Sequence, residues 1–236
     1  MKQSFAAIIL GGTGQVGGAA VAELLVTSEC REAVMVTRKP IAARSRVRNV
    51  VLDISAADFA ERTAALAREV LSQGPVSALS CVGVGSGSMR WSEEELKRLE
   101  LGVVGAFARG CHYAGIAQFC LLSAAGCTAH SRFRYARVMG MKEDTVRNIG
   151  FTRLAIFRPG IIVGNAHTPA QARNDSYRAF TTTGVSSPGR LKSRTSALKR
   201  SFWRLGGNRL VLVSSAMPWR LAQNSSDRTS DFEFCP

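Results

Sequence analysis

A short apolar strand, Ala6-Ala7-Ile8-Ile9-Leu10, runs directly into Gly11-Gly12-Thr13-Gly14-Gln15-Val16-Gly17 and then into a helix-like stretch from Ala19 to Val26. Few local patterns restrict a fold as tightly. Gly12 permits a tight turn, Gly14 lets the backbone come close to a bound group, and Gly17 lets the helix lie against the strand. The helix offers unpaired N–H groups and the positive end of its dipole to whatever occupies the turn, which suits a pyrophosphate. An ordinary strand–glycine–helix turn has the same elements. The spacing of the three glycines, in this order of elements, is the dinucleotide-binding fingerprint.

The rest of the chain repeats the alternation. Apolar strands are expected at Ala33–Thr37, Val47–Leu52, Val76–Val82, Gln118–Leu122 and Leu154–Phe157, separated by helical patterns at Ala56–Leu71, Glu93–Tyr113 and Phe133–Ile149. Such alternation predicts an α/β fold, a doubly wound parallel sheet (Rossmann fold) with right-handed crossovers. Ligands of such sheets bind beyond the C-terminal strand ends.

A chain of 236 residues accommodates one such domain, here residues 1–167. Residues 168–236 form a divergent basic C-terminal segment, with 11 basic and 4 acidic side chains, half of the excess behind the formal net charge of +14. Its Ser/Thr-rich texture predicts partly loose packing, with Leu210–Val213 as its one strand. The tail is open to a protein partner. It lacks the aromatic interleaving or named motif of a nucleic-acid binder, so none is expected. No apolar run is long enough for a membrane span. The six cysteines show no paired metal-ligand spacing and read as small buried hydrophobes of a reducing compartment, which makes a cytoplasmic location the expectation.

Four motifs occur in order: the glycine turn, Leu122-Ser123-Ala124-Ala125-Gly126 after the fifth strand, Tyr135 opening the next helix, and Arg158-Pro159-Gly160 after the sixth strand. Together they resemble an atypical short-chain dehydrogenase/reductase, of the branch that contains the Tat-interacting oxidoreductase. The resemblance spans about residues 5–165. It implies a nicotinamide dinucleotide cofactor held by Gly11, Gly12, Thr13, Gly14, Gln15, Val16 and Gly17, by the small-residue turn Cys81-Val82-Gly83, and by Pro159 and Gly160. Asp53, followed by Ile54, matches the position that contacts adenine; as a bare Asp after a strand it could equally cap a helix. Arg38 stands where an acidic residue would bind the NAD ribose, so NADP is expected over NAD, with Lys39 beside it.

The resemblance further implies Tyr135 as general acid/base and Ser123 as the residue orienting a substrate carbonyl. The lysine that would stand one helical turn after the tyrosine is Met139, within a frame Tyr135-x-x-x-Met139-Gly140-x-x-Glu143 that otherwise keeps the spacing. Lys142 lies on the same helix face but about 10 Å further along the axis. A tyrosine without a neighbouring cation stays protonated at neutral pH, able to donate a proton but poor at regenerating as a base. His112 reads as a packed helix residue, and His130, in the loop before Tyr135, as a minor candidate. Two functions stay open: an NADP-dependent oxidoreductase moving hydride between the nicotinamide and a carbonyl or alcohol of an unknown small molecule, or a catalytically impaired dinucleotide-binding regulatory or scaffold protein.

Overall fold

The structure, a computed structural model, describes residues 4–84, 88 and 90–159, together with the backbone of residues 203–205 and 208–210. Six strands, β1 (Phe5–Leu10), β2 (Cys30–Thr37), β3 (Val47–Val51), β4 (Val76–Ser80), β5 (Gln118–Leu122) and β6 (Arg153–Phe157), form one sheet in the order β3-β2-β1-β4-β5-β6. Every pairing in it is parallel. This is the doubly wound Rossmann arrangement that the alternation predicted, with the change of direction between β1 and β4.

Both faces of β1 are buried, which explains its unbroken apolar sequence. On one face Ala7 and Ile9 pack with Ala33, Met35 and Val21 of α1 (Gln15–Val26). On the other, Ile8 joins Val34, Ala78, Phe119 and Leu121, covered by α2 (Phe59–Leu71), α4 (Val104–Tyr113) and α5 (Arg134–Arg147). Phe119 stacks on Phe151 at 4.8 Å and meets Phe107 at 6.1 Å. Each such side chain, fully buried, contributes about 1.5–3 kcal/mol.

The helix expected over Glu93–Tyr113 is present but not uniform. It begins as α3 (Glu93–Lys97), passes through a π-helical stretch, Arg98–Val103, and continues as α4. A capping box starts it: Glu95 N–H donates to Ser92 Oγ (3.2 Å), and Ser92 N–H to Glu95 Oε2 (2.7 Å). α5 packs against both α3 and the π stretch.

Several boundaries differ from the sequence pattern, α2 for example beginning at Phe59 rather than Ala56. α1 begins at Gln15, not Ala19, because the glycine turn closes at Gly14, which is already the N-cap. β4 stops at Ser80, two residues early, where Cys81 N–H still donates to the Leu10 carbonyl but the chain leaves the sheet. β2 starts three residues early, at Cys30.

The chain divides into two compact units, with one boundary between Arg158 and Pro159 and the other between Asn224 and Ser225. Of the second, Pro159 and the hairpin of β7 (Trp203–Leu205) and β8 (Asn208–Leu210) are described, the hairpin's strands antiparallel. The rest of the basic tail, including most of the strand expected at Leu210–Val213, lies outside the described residues. Among the described residues, all five cysteines are free, no group of side chains is arranged to hold a metal ion, and no helix is long and apolar enough to cross a membrane.

Candidate functional site

The glycine turn crosses the C-terminal edge of the sheet at the point where strand order reverses. Gly11 adopts φ +83°, and a Cβ there would lie 2.8 Å from Cys81 C and from Val82 N. Only glycine lets these two segments touch, so the structure brings the turn into backbone contact with Cys81 and Val82. Gly14 N–H donates to the Gly11 carbonyl at 3.1 Å, and Gly18 N–H to Gly14 at 2.7 Å. The first-turn N–H groups of α1 at Gln15, Val16 and Gly17 precede any intrahelical acceptor, and no side chain caps them. Thr13, Gly14 and Gln15 form an exposed crest, while Gly12 and Gly17 are buried beneath it. An uncapped helix start below an exposed glycine crest fits a phosphate group.

Arg38 is exposed, one residue past the end of β2, on the strand next to β1. Leu52 N–H donates to the Thr37 carbonyl (2.9 Å), which sets the β3 exit beside it. Asp53 is exposed there, its Oδ1 accepting from Ser55 N–H (2.9 Å) in a local turn; the cap of α2 is Asp58 instead. Ile54 packs against the core. Pro159 begins the second unit, and Gly160 lies outside the described residues.

Tyr135 opens α5, half-buried. Burial, the Glu100 carboxylate and the Cys127 thiol push its phenol up to about 12. Met139 is buried on the same helix face, and so is Lys142. The Lys142 ammonium does not reach back toward Tyr135. It is held by Glu100 Oε2 at 2.9 Å and by the Leu122 carbonyl at 2.8 Å, in a fully buried ion pair.

Ser123 is also spoken for. Its N–H donates to the Phe157 carbonyl (2.7 Å), and its hydroxyl donates to Glu143 Oε1 at 2.5 Å. Glu143 is a hub: Cys127 Sγ lies 3.0 Å from it, Arg158 reaches it through Nε (2.9 Å) and Nη2 (2.5 Å), and Arg147 approaches to 3.3 Å. Burial alone would raise the Glu143 carboxyl; Arg158 and the hydroxyl of Ser123 outweigh it and hold it at about 2. A cavity of about 290 Å³, lined by Cys127, His130, Gly140, Glu143, Arg147 and Arg158 among others, adjoins this hub. Gly140, Glu143 and Arg147 share a helix face about a quarter of a turn round from Tyr135 and Met139. His130 is exposed at its rim. His112 meets Phe151 edge-on at 5.3 Å, as a packed residue.

The sequence pattern missed Glu100 and the roles of Glu143 and Arg158. Glu143 already stood inside the Tyr135 frame. Glu100 stands four residues after Leu96 and four before Val104, both buried, so an acidic residue on an apolar helix stripe was its signal.

No protein-family model matches the chain. Among curated proteins, "Protein fmp52, mitochondrial" of Aspergillus clavatus is 30% identical over 166 residues, 70% of this chain and 70% of that protein. The chain belongs to the Fmp52 family. The Fmp52 protein of Debaryomyces hansenii is 26% identical over 174 residues, 74% of each chain, and FMP52-2 of Scheffersomyces stipitis 40% identical over 73 residues, 31% of this chain and 32% of that one. These Fmp52 relatives do not carry the name of the Tat-interacting oxidoreductase.

Solved structures share the fold. The oxidoreductase ylbE of Lactococcus lactis superposes with a TM-score of 0.53 at 17% identity, covering 75% of this chain and 85% of that one. The enzyme WbmH of Bordetella bronchiseptica, solved in complex with NAD+, does so with a TM-score of 0.54 at 14% identity, covering 75% and 62%.

The cytoplasmic expectation is corrected by these names. The Fmp52 relatives are called mitochondrial proteins, which points to the mitochondrion. Unpaired, buried cysteines report a reducing surrounding, and the cytosol is not the only compartment that offers one.

Proposed function

We propose that this Fmp52-family chain is a mitochondrial nicotinamide-dinucleotide-binding oxidoreductase of the short-chain dehydrogenase/reductase type, with NADP preferred over NAD. The observation that carries the reading is the uncapped α1 N-terminus beneath the exposed Thr13–Gln15 crest, set against the β4 exit at the reversal of strand order. The N–H groups of Gln15, Val16 and Gly17 bind the pyrophosphate, and Cys81-Val82-Gly83 and Asp53 line the cofactor. Arg38 supplies a guanidinium to the 2′-phosphate. When bound, the dinucleotide supplies or takes the hydride. Tyr135 supplies a proton to the carbonyl oxygen, and Ser123 fixes the exit of β5 beside it.

A second reading, a dinucleotide-binding regulatory or scaffold protein with impaired turnover, is favoured by three features of the site. Met139 stands in the lysine position, the Tyr135 phenol is raised rather than lowered, and the one hydroxyl proton of Ser123 goes to Glu143. A single set of measurements separates the readings. NADPH and NADH are titrated by fluorescence, and carbonyl reduction is followed in the native protein, Met139→Lys and Met139→Lys/Tyr135→Phe. The oxidoreductase reading expects NADPH binding, slow native turnover, a gain in Met139→Lys, and loss of that gain in the double variant, because the two groups act as a unit. Binding without turnover in any variant supports the second reading. No binding of either dinucleotide defeats both.

A further inference from the structure

We propose that Thr37 and Asn49 are positioning residues for Arg38: together they clamp the segment Arg38–Ile41 at both ends and fix the backbone from which the Arg38 guanidinium meets a 2′-phosphate. This role rests on the NADP-preferring reading and deepens it, since it names the residues that make Arg38 selective.

β2 ends at the buried Thr37, and Arg38 follows it as an exposed residue. An arginine just past a strand end ordinarily samples many conformers, because its long side chain and its loop backbone are both free. Here the backbone is not free. The Thr37 hydroxyl donates to the Lys39 carbonyl at 2.7 Å, closing a ring that contains the Arg38 backbone. The Thr37 carbonyl in turn accepts from Leu52 N–H at 2.9 Å. At the other end of the segment, Ile41 N–H donates to Asn49 Oδ1 at 3.1 Å. Asn49 lies in β3, in register with Met35 of β2. Its Nδ2 donates to the Met35 carbonyl (3.3 Å) and to the Thr37 hydroxyl (2.7 Å). One side-chain amide thereby ties both ends of the segment to the β2–β3 pair.

The network leaves no slack. Asn49 Oδ1 takes an N–H, both hydrogens of Nδ2 have acceptors, and the Thr37 hydroxyl both donates and accepts. The amide has one orientation that serves, since Ile41 N–H requires an oxygen and the Met35 carbonyl requires a nitrogen. Between the anchors, Pro40 locks its own φ and restricts Lys39 to extended backbone. A segment so restrained has little left to order when an anion arrives, and a preorganised group keeps more of its interaction as affinity. Other arginines of the same connection serve structure instead: Arg46 donates to the carbonyls of Cys30 and Leu25, and Arg48 pairs with Glu69. A clamp that merely finished the β2–β3 connection would affect both dinucleotides alike. One that positions Arg38 affects NADPH and spares NADH.

The test titrates NADPH and NADH by fluorescence in the full-length native protein, Thr37→Val, Thr37→Ser, Asn49→Ala, Arg38→Ala and Arg38→Ala/Thr37→Val, with circular dichroism verifying the fold. Thr37→Val keeps the shape and removes the hydroxyl. It should weaken NADPH about fivefold and leave NADH within about twofold, the scale of ordering one released long side chain on binding. Asn49→Ala should act the same way, and carries the test should Thr37→Val fail to fold. Thr37→Ser keeps the hydroxyl and should keep the native selectivity. In the Arg38→Ala background, Thr37→Val should change NADPH affinity no further, because both substitutions act on one interaction. Peptide-resolved hydrogen exchange of the cofactor-free proteins should show Arg38–Ile41 less protected in Thr37→Val and Asn49→Ala, a readout that needs no dinucleotide. Unchanged protection overturns the clamp. A native protein that prefers NADPH, with both variants folded and equally selective, overturns the proposal and leaves the NADP reading standing. Equal native affinities for the two cofactors overturn that reading and the role of Thr37 and Asn49 with it.

Discussion

Gly17 and Gly14 belong to one motif, yet the structure gives them different tasks, and alanine at each position separates folding from binding. A Cβ on Gly17 would overlap the Gly11 carbonyl oxygen and lie 2.8 Å from Gly11 C and from Gly12 Cα. These are backbone atoms of the turn, which cannot step aside as a side chain would, so α1 must move bodily away from β1. Overpacking of this kind costs about 3 kcal/mol, at the top of the usual range, and a chain of this size should lose about 6–12 °C in Tm. Gly14 is different. Its φ of −75° and ψ of 171° are open to any residue, and the nearest atom to its Cβ is the Gly11 oxygen at 3.3 Å. Gly14→Ala should therefore cost less than about 1 kcal/mol of stability. The added methyl sits on the exposed crest, where a pyrophosphate must approach, and should weaken NADPH at least about tenfold, or about 1.4 kcal/mol. Thermal unfolding and fluorescence titration of both variants decide the matter. Native stability in Gly17→Ala, or native NADPH affinity in Gly14→Ala, would refute this account of the turn.

Two further outcomes follow from the site. Arg38→Asp should weaken NADPH by about 1.5–3 kcal/mol, the worth of a hydrogen bond to a charged group, and leave NADH less affected; equal affinities of the unmodified protein for both cofactors would remove the reason for assigning Arg38 to a 2′-phosphate. Glu143, held at about 2 in the fold and near 4.5 outside it, stabilises fully above the ordinary carboxylate range and loses that stabilisation as pH falls through this window. Glu143→Gln should cost about 3 kcal/mol at neutral pH by removing the buried carboxylate charge with which Arg158 and Arg147 pair and should flatten the acid limb of stability measured by urea unfolding; an unchanged acid limb would show that the hub carries no such charge.

Much of the fold was legible because the strands are short apolar runs punctuated by Gly, Pro and polar turns. β5 falls on Gln118–Leu122 as expected, and α5 differs by a residue or two at each end, where helices fray. β4 shortened because Cys81 and Val82 meet the turn after β1 at Gly11, a constraint of tertiary contact that a run such as Val76–Val82 does not carry. The glycine turn was legible for a similar reason: each glycine answers a local backbone demand. Ser123 was legible as a position but not as an environment, since its partner Glu143 lies twenty residues away on another element.

The least legible feature is also the most consequential for chemistry. Lys142 and Glu100 each stand on the apolar stripe of a helix, one beside Met139 and Val146, the other between Leu96 and Val104. Taken singly, either could be a long side chain that reaches the surface from a buried stem. Together they require one another, because neither charge tolerates the core alone. A pattern read along one helix at a time cannot pair residues 42 positions apart; the pairing needs the π stretch and α5 to be packed side by side. The same packing turns a missing lysine at position 139 into a broader change. The helix still carries a lysine on the correct face, but Glu100 and the Leu122 carbonyl hold it, so the fold keeps this cation for structure.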